Sequence, residues 1–141
     1  MNSQSLPDNI LRRMEPSARK SLGKSGRTSE EIDAKKGVEL EKEIHRQIYQ
    51  WLRSKDIVFQ HERMDGKTRG TVGWPDFTFV WFREPALEVK HLYVPIGCEV
   101  KRPGEKPTDD QAKIHDHMRR NGWTVFVVHS LQELIEELKN P

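Results

Sequence analysis

Cysteine is almost missing from this chain of 141 residues, where Cys98 stands alone. One thiol excludes an internal disulfide and argues against a thiolate zinc site. No apolar run approaches the ~20 residues that cross a bilayer, and the opening Met-Asn-Ser-Gln-Ser-Leu-Pro-Asp lacks the basic-then-apolar order of a secretory signal. The expectation is a cytoplasmic protein with no membrane partner. Apolar residues are sparse, at 34% against 33% charged. The core must come from short, well-placed segments, which suits one domain of ordinary size. His-x3-His and other zinc spacings are absent, and His117 and His129 stand in no ligand pattern.

Excess charge of one sign is also small, at +2, but it is unevenly spread. Residues 1 to 28 hold Arg12, Arg13, Arg19, Lys20, Lys24 and Arg27 against Asp8 and Glu15, a local +4 that leaves −2 for the remainder. A basic arm with Ser and Gly and few large apolar residues reads as loosely ordered. The expected division is an arm over 1–36 and a folded domain over 37–141. Such an arm suits contact with a phosphate backbone, and equally suits a solubilising tail.

What is present is patterned. After Gly37, Leu40, Ile44, Ile48, Trp51 and Leu52 recur at three- and four-residue spacing, one apolar helical stripe. Ile57-Val58-Phe59 starts a β-type run ending at Asp65-Gly66. FTFVWF (77 to 82) reads as a buried strand. From 92 to 101 the alternation is clean, with Leu92, Val94, Ile96, Cys98 and Val100 on one face and Glu99 and Lys101 on the other. Thr108-Asp-Asp-Gln111 has the capping-box form for a helix that stops at Asn121-Gly122. WTVFVV (123 to 128) is the last strand, and Ser130-Leu-Gln-Glu133 caps a final amphipathic helix. The order α-β-β-β-α-β-α predicts an α/β fold, a mixed sheet covered by helices.

One tripeptide occurs twice, as Glu88-Val89-Lys90 and Glu99-Val100-Lys101. Gly73-Trp74-Pro75-Asp76 precedes the first long strand, and Pro75 fixes φ so that Asp76 sits at a defined strand entrance. If the strand after Asp76 pairs antiparallel with the strand ending at Lys101, paired residue numbers sum to a constant. Asp76 opposite Glu99 puts the turn near 87 to 88, in EPALEVKH. Glu88 then lies ~35 Å from Asp76, at about 3.3 Å per residue. The second copy is therefore the candidate.

Asp76 and Glu99 are hard oxygen ligands suited to Mg²⁺ or Mn²⁺, and the Val100 carbonyl between Glu99 and Lys101 is a further ligand candidate. Lys101 is placed to orient an attacking water or to stabilise the transition state. A Glu-x-Lys on a strand is more often surface decoration, so the Pro-Asp entrance and the hairpin register give this one its weight.

GWPDFTFV, GCEVKRPGEKPTDDQ and NGWTVFVVHS together resemble the VRR-NUC domain, a branch of the PD-(D/E)XK nuclease superfamily. The resemblance covers about residues 38 to 139. It implies a restriction-endonuclease-like fold and a metal-dependent phosphodiesterase acting on DNA, with Asp76, Glu99 and Lys101 as its core. It implies a catalytic glutamine on the helix after the Lys, which Gln111 matches, although a capping box alone also explains a Gln there. It implies a glutamate on the first helix. Among Glu39, Glu41 and Glu43, Glu41 lies on the inward stripe, where a free carboxylate is costly without a metal or partner. The segment between Asp76 and Glu99 is longer than the family's. A homodimer is expected from the same resemblance.

The basic, Gly-containing loop RMDGKTRGTVGW places Lys67 and Arg69 before Pro75-Asp76, as candidates to hold a phosphate beside the metal. Trp74 suits either stacking on a base or closing the core edge. Arg102 adds charge beside the site, and His115, one turn after Gln111 and on its face, is a candidate to reach a nucleic-acid phosphate or the site itself. The alternative to a nuclease is a non-catalytic nucleic-acid-binding module on the same fold.

Overall fold

A computed structural model describes Asn9 and residues 28–62, 70–83 and 93–141. Lys67, Arg69, both ends of the first Glu-Val-Lys copy and all but Asn9 and Thr28 of the basic stretch lie outside the described residues. The chain divides into two compact units, Met1–Leu40 and Glu41–Pro141.

Helix α1 spans Ser29–Ser54. It starts eight residues before the expected point because Thr28 caps it. Thr28 Oγ1 accepts the Glu31 N–H at 3.2 Å, and Glu31 Oε2 accepts the Thr28 N–H at 3.0 Å. Leu40 is exposed, so the buried stripe begins at Ile44 and continues through His45, Ile48 and Leu52. Sequence periodicity tells which residues share a face; it does not tell how far along the helix that face is covered.

In the second unit, strands β1 (Phe59–His61), β2 (Phe77–Phe82), β3 (Tyr93–Val100) and β4 (Thr124–Val128) form one sheet in the order β1-β2-β3-β4. The β1–β2 and β2–β3 pairs are antiparallel and β3–β4 is parallel. Helix α2 (Asp109–Arg120) makes the crossover into β4, and α3 (Leu131–Glu137) follows it. This is a mixed α/β fold. Strand β1 is shorter than the apolar run suggested, since Val58 is almost fully exposed. Among the described residues, no helix is long and apolar enough to cross a membrane.

Phe77, Phe79, Ile96, Cys98, Val100 and Val128 point to one face of the sheet. They form a core with Ile44, Ile48 and Leu52 of α1 and Leu134 and Leu138 at α3. The other face lies under α2. A methyl group added at Gly97 would come 3.0 Å from Pro75 Cγ and 3.3 Å from Met118 Cε, so β3 passes close beneath α2 where a larger residue would make its neighbours shift. Glu99 follows on that same covered face. An alternating strand with helices on both sides buries its polar positions as well as its apolar ones.

Candidate active site

The register of β2 with β3 places the site. Phe77 pairs with Cys98 and Phe82 with Tyr93. One step beyond the Phe77–Cys98 pair, the same register sets Asp76 across from Glu99. The first residue of the β2 entrance thus meets the last turn of β3 at one end of the sheet.

The loop into Asp76 is held by close packing. Gly73 has φ +89°, and a Cβ there would stand 2.6 Å from the Asp110 carbonyl oxygen. This presses the loop onto the first turn of α2, and Pro75 continues it into the interior. Asp76 Oδ2 accepts the Val100 N–H at 2.7 Å, which fixes the carboxylate beside β3.

Glu99 is 1% exposed. Its Oε1 receives Lys101 Nζ at 2.8 Å and Gln111 Nε2 at 2.5 Å. Gln111 does two jobs with one side chain. It is the third residue of the α2 capping box, its Oε1 accepting the Thr108 N–H at 2.9 Å, while its amide nitrogen donates to Glu99. The cap thus locks the rotamer that reaches the acid. One turn on, His115 is also 1% exposed, with Nε2 3.6 Å from Glu99 Oε2. That separation is too long for a hydrogen bond. Burial withdraws His115 from any surface, which corrects the expectation that it contacts nucleic acid: it backs Glu99 instead.

His45 was not singled out from the sequence. It lies on α1 four residues after Glu41, is 3% exposed, and brings Nε2 to 3.7 Å from Asp76 Oδ2. Its Nδ1 meets His61 Nε2 at 3.0 Å, and the His61 ring stacks on Phe77. The available signal was a polar residue inside an apolar stripe, which calls for a partner. That partner is distant in sequence. His45 Nε2, His115 Nε2 and Glu99 Oε2 are buried without hydrogen-bond partners, so each carboxylate has one unsatisfied imidazole nitrogen behind it.

The electrostatics follow from the burial of two acids together. Burial first, and then the charge of Glu99, raise the Asp76 carboxyl from its ordinary value to about 7, against the pull of the Val100 N–H and Lys101. Burial first, and then the His61 ring, lower His45 to about 4, which makes it neutral at pH 7. Burial alone would lower Lys101. Its hydrogen bond to Glu99 and the charges of Glu99, Asp76 and Glu41 outweigh that and raise it, so the ammonium is retained. Glu41 is half-buried, and its charge acts on both Asp76 and Lys101.

Of the other candidates, Trp74 and Arg102 are among the described residues. Trp74 is half-buried and edge-on to Trp123 at 5.9 Å. Arg102 is paired with Glu105. Among the described residues, no group of three or more His, Cys, Asp or Glu side chains stands ready to hold a metal ion. The donors nonetheless suit a hard divalent cation. Glu99 Oε2 is a buried oxygen without a partner, and an acid raised by its neighbour's charge is one that a cation would relieve. No family model, curated protein or solved structure matches the chain.

Proposed function

We propose that this chain is a metal-dependent DNA endonuclease of the VRR-NUC kind, on a restriction-endonuclease-like fold, acting on branched or junction DNA. The observation that carries the reading is the β2–β3 register, which sets Asp76 across from a buried Glu99 with Lys101 on the same acid.

Asp76 and Glu99 would hold Mg²⁺ or Mn²⁺, with Glu41 assisting. The Val100 carbonyl would be a further ligand, because a strand residue sends its N–H and C=O to the same edge and the Val100 N–H already points to Asp76. The bound ion supplies charge neutralisation at the scissile phosphate and lowers the pKa of a water. The chain's own residues do the rest. Lys101 keeps its charge beside the reacting phosphate, where a fixed cation stabilises the developing negative charge. Gln111 holds Glu99 and the Val100 N–H holds Asp76 by hydrogen bonds, while His115 and His45 pack behind the two acids without bonding them. A group behind a metal-binding carboxylate typically changes metal affinity by about 10–100-fold. A homodimer is part of this proposal by the resemblance, and a cytoplasmic setting by the single cysteine.

The rival reading is a nucleic-acid-binding module without catalysis, favoured by the lack of a ready three-ligand group among the described residues. Incubating the purified protein with supercoiled, linear and branched DNA in Mg²⁺, Mn²⁺ or EDTA separates the two. Metal-dependent cleavage, highest on branched DNA, is expected. Binding without cleavage in any metal would establish the rival.

A further inference from the structure

A groove of about 750 Å³ runs along α1 beside the β1 edge of the sheet, and a second of about 330 Å³ adjoins it, sharing Tyr49, Arg53 and His61. The first is lined by three cations, Lys42, Arg46 and Arg53, and among the described residues no acid lines it. Glu43 lies just outside and binds the Arg46 guanidinium at 2.5 and 2.8 Å. The cations recur on one side of the helix, at four- and seven-residue intervals. From Lys42 to Arg53 they span ~16 Å at about 1.5 Å per residue. That is the length of about five nucleotides at the stacked spacing of 3.4 Å, and of fewer in an extended single strand.

The groove is aromatic as well as basic. Tyr49 is 38% exposed, stands edge-on to Phe59 at 5.1 Å and lies 5.9 Å from His61. The Arg53 guanidinium sits 5.9 Å over the Tyr49 ring. Rings and cations alternating along a channel serve unstacked bases and their phosphates. A duplex, with its bases already stacked, would use the cations alone. His45 also lines the groove, and its Nε2 lies 3.7 Å from Asp76 Oδ2.

We infer that this groove binds single-stranded DNA and leads it to Asp76. The unpaired strand of a branched substrate lies along α1, its phosphates on Lys42, Arg46 and Arg53 and a base on Tyr49. The inference rests on the nuclease reading and names the part of the substrate that this surface recognises.

The test uses fluorescence anisotropy in EDTA, with labelled hexathymidine and a labelled hairpin duplex as probes. Thermal melting checks that each variant is folded. Lys42→Ala and Arg53→Ala are each expected to weaken hexathymidine binding several-fold and to reduce the log–log salt slope by about 0.7. Tyr49→Ala is expected to weaken it about tenfold, with much less effect on the duplex. Glu43→Gln, which releases Arg46, is expected to tighten it. Unchanged affinity and salt slope in the Lys42 and Arg53 variants would overturn the inference. So would a Tyr49→Ala loss equal for both probes. If those variants match wild type while metal-dependent cleavage persists and depends on Asp76, only the groove assignment falls. If the wild-type protein neither binds nor cleaves any DNA, the nuclease reading falls with it.

Discussion

Asp76 is the residue at which burial and function meet. Its carboxyl is raised from 3.8 to about 7, so the folded protein keeps a proton that the unfolded chain has already released. The ionised form is the one disfavoured by folding. That cost is absent below about pH 4, grows as pH rises, and is complete above about pH 7. In EDTA, Asp76→Asn is therefore expected to stabilise the protein increasingly between pH 4 and 7, read by urea denaturation across that range. Added Mn²⁺ should reverse the ranking by stabilising wild type alone. A pH-independent difference would mean that Asp76 is not under this strain. Lys101 and Glu99 give a second residue-scale test. Lys101→Met leaves a buried carboxylate without its cation and is expected to cost about 3–5 kcal/mol. The double variant Glu99→Gln, Lys101→Met should recover most of that loss. Glu99 and Lys101 stood out in the sequence because they share one strand, and Asp76 joined them only through an assumed hairpin pairing, which the β2–β3 register matches. His45 did not stand out, because its importance arises only when α1 docks beside a residue 31 positions away in the chain.

At the scale of elements, α2 is the lever that sets Glu99. Its capping box was visible in Thr108-Asp-Asp-Gln111, but the sequence offered two readings of Gln111, as a cap and as a catalytic residue. The structure gives the side chain both a cap bond and a Glu99 bond, because the first turn of α2 begins directly over the end of β3. Thr108→Ala is expected to cost about 1 kcal/mol of stability and to loosen Gln111, so that cleavage falls further than the stability loss explains. Single-turnover rates set beside denaturation curves would show this, and an unchanged rate would limit Gln111 to its cap. Strand register was legible for a related reason: once β2 and β3 are assumed paired, the position of one turn fixes every partner. The start of α1 was missed because its Thr28–Glu31 cap precedes the apolar pattern that marks the helix. The length of β1 was missed because an apolar run does not report where pairing begins: Val58 is exposed although β2 runs on past Phe79 to Phe82.

For the whole molecule, charge is divided unequally along the chain: net +4 in residues 1 to 28 and −2 in the rest. A DNA-binding role for an acidic remainder places much of the long-range attraction on the basic arm. Replacing Arg12, Arg13 and Arg19 with Gln is expected to weaken duplex binding at low salt and to lower the log–log salt slope by about 0.9 per cation that contacts phosphate. The single-turnover rate at saturating protein should be unchanged. Equal salt slopes would assign the arm to solubility.

The doubled Glu-Val-Lys tests the central claim most directly. The two copies have the same letters; the second lies across from Asp76 in the β2–β3 register, and the first falls outside the described residues. Cleavage of branched DNA in Mn²⁺ should be compared for Asp76→Ala, Lys101→Ala, Glu88→Ala and Lys90→Ala, each confirmed folded by thermal melting. The account predicts that the first two lose activity by about a hundred- to a thousandfold, on the order of the loss when a transition-state donor is removed, while the last two cut like wild type. Activity that survives in Lys101→Ala and disappears in Lys90→Ala would contradict it.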